Sequence, residues 1–190
     1  LNGAFVVLYA GNVGLTQGLE ILIDVAADLS PDERVQFLVV GDGAGRAGLE
    51  RAVARSGLAN FRMLPFQSPH RVNEMYAAAD VCVAPLRRGF SYDTVPSKIY
   101  TAMAAGRAVV ACAETDTETA ALLCEAAAGT CVTPESRPAL TEAIRALRVD
   151  PETATELGAA GRKWIENHYS RAVVVRAYDC MVRDVCTARN

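Results

Sequence analysis

Six short runs of apolar, largely β-branched residues, at 5–9, 35–40, 61–64, 81–84, 108–112 and 129–132, alternate with segments of helical periodicity at 18–29, 45–56, 71–79, 97–105, 118–126 and 137–148. Runs of this kind are apolar on both faces, which suits a parallel sheet covered by helices on both sides. The expected fold is therefore α/β: a single Rossmann-like, doubly wound, six-stranded parallel sheet. Two further helical patterns follow at 151–168 and 171–186, the first announced by Asp150-Pro151. We expect residues 1–150 to form the sheet domain and 151–190 a helical C-terminal extension of it. With 190 residues, 51% of them hydrophobic, there is enough apolar material for one substantial core.

Ligands of such sheets sit outside the carboxyl ends of the strands. The loops that matter are then 11–18, 41–45, 65–69, 85–98 and 112–118. In the fourth, Val95-Pro96-Ser97-Lys98 precedes a short apolar helix. Proline is tolerated in a helix's first turn because its missing N–H would be unpaired there. The free amides beside it, the positive end of the helix and Lys98 together suit an anion. The first loop, from Gly11-Asn12-Val13-Gly14 to Thr16-Gln17-Gly18, lets backbone amides approach a phosphate and adds neutral donors. Two such starts on one small domain point to a ligand carrying a diphosphate. Arg87 and Arg88 are further cations for it, Asp93 could accept hydrogen bonds from a sugar, and Asp42 is a lesser candidate contact. The same features also suit an ordinary glycine turn and a solvated surface loop. Gly43-Ala44-Gly45-Arg46-Ala47-Gly48 is a formal G-x-G-x-x-G, but the next strand ends Leu64-Pro65-Phe66-Gln67 without a ribose-binding acid, so a plain glycine turn is favoured.

The formal charge of −3 and the lack of a dense basic run argue against a nucleic-acid surface. The six cysteines are irregularly spaced, no C-x-x-C occurs, and the two histidines lie far apart. No metal site and no resident cofactor are expected, and a reducing, cytoplasmic setting fits. No apolar run approaches a membrane span and no signal-peptide pattern is present. His70 and His168 suit helix-terminal or surface roles, and Trp164 and Tyr169 suit packing. Glu114, Asp116 and Glu118 suit a helix start, with capping the expected role of Glu118. Leu1 leads almost directly into the first strand, so we expect a piece of a longer protein.

Tyr9-Ala10-Gly11-Asn12-Val13-Gly14 with Gln17-Gly18-Leu19-Glu20, Val39-Val40-Gly41-Asp42-Gly43, Tyr76-Ala77-Ala78-Ala79-Asp80-Val81, and Pro96-Ser97-Lys98 with Met103-Ala104-Ala105-Gly106-Arg107 run through nearly the whole chain. In this order they resemble the C-terminal half of a GT-B glycosyltransferase of the retaining group 1 / family 4 type. Within that group they are similar to the colanic-acid and fucosamine-transferase-like enzymes of surface-polysaccharide assembly. The resemblance implies the donor-binding domain of an enzyme that moves a sugar from a UDP- or GDP-sugar to an acceptor without a metal. It implies catalytic roles for Asp93 and Lys98, and donor contacts from Gly11, Asn12, Gly14, Gln17, Gly43, Phe66, Gln67, Thr94, Val95, Ser97 and Thr101. It also implies that the N-terminal acceptor domain lies outside this chain and that the final helix packs back toward it. A lipid-linked acceptor at the inner face of the membrane would be met through that absent half. By itself the chain would bind donor without transferring sugar. Many relatives carry Arg and Lys where Asn12 and Gln17 stand, and two glutamates where Asp93 and Thr101 stand. Charge compensation then falls to Lys98, backbone amides and Arg87 or Arg88. Two other readings remain: an NAD-dependent oxidoreductase domain resting on 43–48, and a non-catalytic nucleotide-sugar-binding module. Sugar-nucleotide epimerases share the fold, but no acid/base pair supports that chemistry.

Overall fold

In the computed structural model, which describes residues 3–30 and 34–187, strands form where the apolar runs lie. They are β1 (Phe5–Ala10), β2 (Val35–Val40), β3 (Phe61–Leu64), β4 (Val81–Ala84), β5 (Ala108–Cys112) and β6 (Gly129–Val132). Leu1 lies outside the described residues. All strand pairs are parallel and the order is β3-β2-β1-β4-β5-β6. The register sets Val7 against Phe37 on one side and Val81 on the other, which brings the C-terminal ends of β1, β2 and β4 to one edge.

The period of two within each strand divides the core. Val7, Tyr9, Phe37, Val39, Val83 and Val110 face one layer, made by α1 (Ile21–Asp28), α2 (Arg46–Ser56) and α6 (Arg137–Val149). Val6, Leu8, Leu38, Cys82, Val109 and Ala111 face the other, made by α3 (Val72–Ala77), α4 (Ser97–Ala104), α5 (Glu118–Glu125) and the C-terminal part of α7 (Pro151–His168). At about 1.5–3 kcal/mol for each fully buried large aliphatic side chain, these layers carry most of the favourable folding energy. The last helix, α8 (Arg171–Thr187), touches α7 and has no buried residue.

The helices begin where local chemistry satisfies their first amides. Thr117, Ser136 and Asp150 accept from Ala120 N, Ala139 N and Thr153 N and so cap α5, α6 and α7. Compared with the sequence expectation, α1 starts three residues later, α2 and α3 one residue later, and α4 where expected. Instead of continuing from Gly18, α1 begins at Ile21, because Gly18 at φ 59° closes a separate 3-10 turn, Leu15–Gln17. Another 3-10 turn, Pro69–Arg71, takes the first residue of the expected third helix. Pro96 is the residue just before α4, in extended geometry (φ −60°, ψ 120°), where its lack of a donor costs nothing.

Helix α7 lies close against the turn between α4 and β5 at Gly158, where a Cβ would lie 2.2 Å from the Gly106 carbonyl oxygen. Helix propensity alone predicts that Gly158→Ala stabilises by about 1 kcal/mol. The contact reverses the sign: α7 must back away from α4 and β5, and we expect a net loss of about 1–3 kcal/mol in thermal or urea unfolding.

Candidate functional site

The loop leaving β1 runs to α1 on one face of the sheet, and the loop leaving β4 runs to α4 on the other. The crevice between them opens into a cavity of about 290 Å³. Gly11, Asn12, Phe66, Gln67, Ser97, Lys98 and Thr101 line it, with Ala10, Val40, Val72, Met75 and Tyr76 forming the apolar wall. Seven of the residues expected from sequence are thus brought together here.

At the floor stands Lys98. Its Nζ donates to Gln17 Oε1 at 2.5 Å and lies 4.7 Å from the centre of the Tyr9 ring. The single Tyr9 hydroxyl proton goes to the Asn12 carbonyl at 2.5 Å, with the same Gln17 oxygen a weaker second acceptor at 3.2 Å. Burial pulls the Lys98 ammonium down to about 8, and pushes the Tyr76 hydroxyl on the cavity wall up to about 12. Lys98 also sits in the first turn of α4, which begins without a side-chain cap, unlike α5, α6 and α7. The first amides of a helix have no intrahelical partner, so the cavity meets free donors beside a desolvated cation. The loop at Gly14 offers less than expected. A three-residue 3-10 turn follows it, and the dipole argument holds at α4 alone.

The long loop after β4 is pinned by the end of β5. Gly89 N donates to Glu114 Oε1 at 2.8 Å, the Ser91 hydroxyl donates to Glu114 Oε2, and Glu114 N donates to Ser91 Oγ at 3.3 Å. Tyr92 OH donates to Asp116 Oδ1 at 3.0 Å. Beyond these anchors Asp93 and Thr94 are exposed, outside the cavity lining, while Val95 packs partly against the core. Arg87 turns the other way. It donates to the Leu15 carbonyl at 2.8 Å and pairs with Glu20 at 3.2 Å and Glu135 at 3.8 Å, so its charge is compensated away from Lys98. Arg88 reaches the Pro134 carbonyl and Glu135. The role expected of either arginine at the diphosphate is not what their contacts show.

Packing accounts for Gly43 and Gly45, while Gly48 has open space where a Cβ would stand. At φ 152°, a Cβ on Gly43 would lie 2.3 Å from Asn12 Oδ1 and 2.6 Å from the Val13 carbonyl oxygen, and Gly45 N donates to that carbonyl at 2.8 Å. Gly43 and Gly45 let the loops after β1 and β2 touch, and Gly43 lies beneath Asn12 rather than on the cavity wall. Asp42 accepts from Gly43 N at 2.7 Å. Gly14 adjoins Asn12 and Gln17. Glu118 is exposed in the first turn of α5, whose cap is Thr117. His70 is exposed in a 3-10 turn, and His168 stacks on Trp164 at 4.5 Å with Nδ1 2.8 Å from the Trp164 carbonyl oxygen. Sequence reasoning missed Tyr9, Met75 and Tyr76. A tyrosine closing an otherwise apolar strand was the available signal, because a buried hydroxyl needs a partner.

The family model described as glycosyl transferases group 1 matches residues 2–164. The chain is 35% identical over 175 residues to the colanic acid biosynthesis glycosyl transferase WcaI of Escherichia coli (strain K12), covering 91% of this chain and 42% of that protein. It is 30% identical over 187 residues to the glycosyltransferase WbjE of Pseudomonas aeruginosa, covering 96% and 45%. The chain therefore spans less than half the length of these relatives. Among solved structures, sucrose-phosphate synthase of Thermosynechococcus elongatus superposes with a TM-score of 0.82 at 25% identity, over 97% of this chain and 46% of that one. Anabaena HepE in complex with UDP-glucose superposes with a TM-score of 0.80 at 21% identity, over 95% and 49%.

Two measurements probe this geometry. A lysine whose folded pKa lies below its unfolded 10.5 lowers stability while the folded state must carry its charge, and the penalty fades as pH rises from about 8 toward 10.5. Lys98→Met should therefore raise unfolding free energy by about 1–2 kcal/mol near neutral pH, with the gain shrinking in alkaline denaturation curves. Glu114→Ala should free the 87–96 loop. Trypsin cleavage after Arg87 or Arg88 should become roughly tenfold faster, as expected for two lost hydrogen bonds of about 0.5–1.5 kcal/mol each.

Proposed function

Because the chain belongs to the group 1 glycosyl transferases, we propose that it is the donor-binding half of a two-domain glycosyltransferase that moves a sugar from a UDP- or GDP-sugar to an acceptor in surface-polysaccharide assembly. The observation that carries this reading is the desolvated Lys98 at the uncapped start of α4, on the floor of the cavity beside the Gly11–Asn12 loop. A diphosphate seated there would take hydrogen bonds from the Ser97 and Lys98 amides and from Lys98 Nζ. As the bond from anomeric carbon to phosphate oxygen breaks, negative charge grows on that oxygen, and preorganised donors stabilise it best when water is excluded. The protein's own cation and amides then do what a metal does in other transferases. Phe66 and Gln67 would flank the base, Thr101 the ribose, and Asp93 the sugar, with Thr94 and Val95 beside it on the pinned loop. Gly11, Asn12 and Gly14 shape the near wall, Gly43 supports it from below, and Gln17 serves through Lys98.

The other half of the enzyme would close over the exposed apolar residues at the strand-end edge, Leu15, Phe66, Phe90 and Tyr92, and over α8, where Val175, Tyr178, Val182 and Val185 stand exposed at heptad spacing. That half would supply the acceptor site, including contact with a lipid-linked acceptor at the inner face of the membrane. This chain alone would bind nucleotide and transfer nothing. Among the described residues no helix is long and apolar enough to cross a membrane. The nicotinamide reading loses its support once Gly43 and Gly45 are explained by packing. The rival of a non-catalytic module is separated by assaying sugar transfer from a radiolabelled donor with the full-length protein.

Calorimetric titration of the 190-residue chain with UDP, GDP and NADH tests the reading. One nucleoside diphosphate should bind without added magnesium. Lys98→Ala should weaken it by roughly 10- to 100-fold, as for the loss of a charge-assisted contact of about 1.5–3 kcal/mol. Binding of NADH alone would overturn the proposal.

A further inference from the structure

Lys98 is held by groups that give it no opposite charge. Its ammonium meets the Tyr9 ring from β1 and Gln17 from the following loop, and it shares its cavity walls with Asn12, Tyr76 of α3, Cys82 of β4, and Ser97 and Thr101 of its own helix. Burial keeps the three ionisable neighbours protonated, pushing the Tyr76 hydroxyl and the Cys82 thiol up to about 12 and raising the Tyr9 hydroxyl as well. Among the described residues no carboxylate lies within ion-pair reach of Nζ. Asp42, in the neighbouring loop, accepts from Gly43 N instead.

Gln17 supplies what a carboxylate would otherwise supply, an acceptor, and leaves the charge uncancelled. Its Oε1 takes both Lys98 Nζ at 2.5 Å and Tyr9 OH at 3.2 Å. The lysine can only donate when charged, so it fixes which end of the carboxamide faces it, and the Gln17 oxygen holds Nζ over the Tyr9 ring at the start of α4. We infer that Gln17 is a positioning residue that holds the Lys98 amine at the phosphate site without neutralising it, so that the nucleoside diphosphate enters together with a proton. This rests on the donor reading above. The balance is simple: one proton passes from solvent to Nζ, the anion becomes the counterion of the resulting ammonium, and no covalent bond changes. With burial drawing Lys98 to about 8, part of the free chain carries the neutral amine in mildly alkaline solution, and only the bound state restores its charge.

The test is calorimetry of UDP and GDP binding to the 190-residue chain at about pH 8.5, in two buffers of different ionisation enthalpy, with affinities also taken near pH 7 and pH 9. For a group titrating at about 8, uptake should be about three quarters of a proton per nucleotide, and affinity should fall roughly tenfold from pH 7 to pH 9. Lys98→Arg, which stays charged, should bind with no uptake and a nearly flat pH profile, which also cancels any titration of the base itself. Gln17→Glu gives Lys98 a permanent counterion, so uptake should vanish and binding near pH 7 should weaken roughly tenfold. Circular dichroism melts confirm that each variant is folded. Nucleotide binding without proton uptake in the parent chain, or uptake that survives Gln17→Glu, overturns the inference and leaves the donor reading standing. Failure of both UDP and GDP to bind at any of these pH values overturns the donor reading, and this inference with it.

Discussion

The pairing of β1 with β4 in the middle of the sheet, between two strands distant in sequence, governs the rest of the molecule. Right-handed crossovers carry chain leaving β1 to one face and chain leaving β4 to the other. At this point the adjacent loops diverge, and the cavity holding Lys98 opens between them. The alternation of core residues within each strand follows from the same arrangement. Each buried strand must satisfy a helical layer on both faces, which is why Val6 and Val7, adjacent in sequence, belong to different clusters.

That crevice is filled by a local conflict. A chain selected for stability alone would give Lys98 a carboxylate or place an apolar residue there, and would cap α4, although α1, α2 and α3 also begin without a side-chain cap. The protein does neither. It sets an ammonium over an aromatic ring, offers it a neutral acceptor, and leaves the first amides of the helix open. Such an arrangement leaves a desolvated charge uncompensated, the cost that the proposed anion would offset. Sites that violate the local rules of capping and charge pairing are where function is expected.

The surroundings distribute rigidity accordingly. Glu114 ties the loop after β4 to the end of β5 through Gly89 and Ser91, and Arg46 bridges the carbonyls of Gly41 and Leu64 at the ends of β2 and β3. Close contact of glycines with backbone locks the loops after β1 and β2 together. Around this fixed edge lie exposed aromatic and aliphatic side chains, and α8 carries an uncovered apolar stripe. A rigid cradle bordered by uncovered apolar surface suits the proposed role as one half of a cleft.

By itself the sequence determined the six strands, five of them to the residue, because runs apolar on both faces have one good solution in a soluble fold. It also placed Gly11, Asn12, Phe66, Gln67, Ser97, Lys98 and Thr101 at one edge, since loop position after each strand fixes the edge it reaches. Tertiary structure decided which cation serves the crevice: Lys98 stands in it, whereas Arg87, eleven residues earlier in the same loop region, is drawn to Glu20 and Glu135. It also decided that Gly43 packs against Asn12, that Glu114 is an anchor rather than a helix-start charge, and that Gln17 and Tyr9 share one oxygen with Lys98. The physical reason is range. Gln17 and Lys98 are 81 residues apart, and Gly89 and Glu114 are 25. Periodicity and capping are written in neighbouring residues, while the environment that sets a charge or fixes a loop is assembled only when the sheet brings distant segments together.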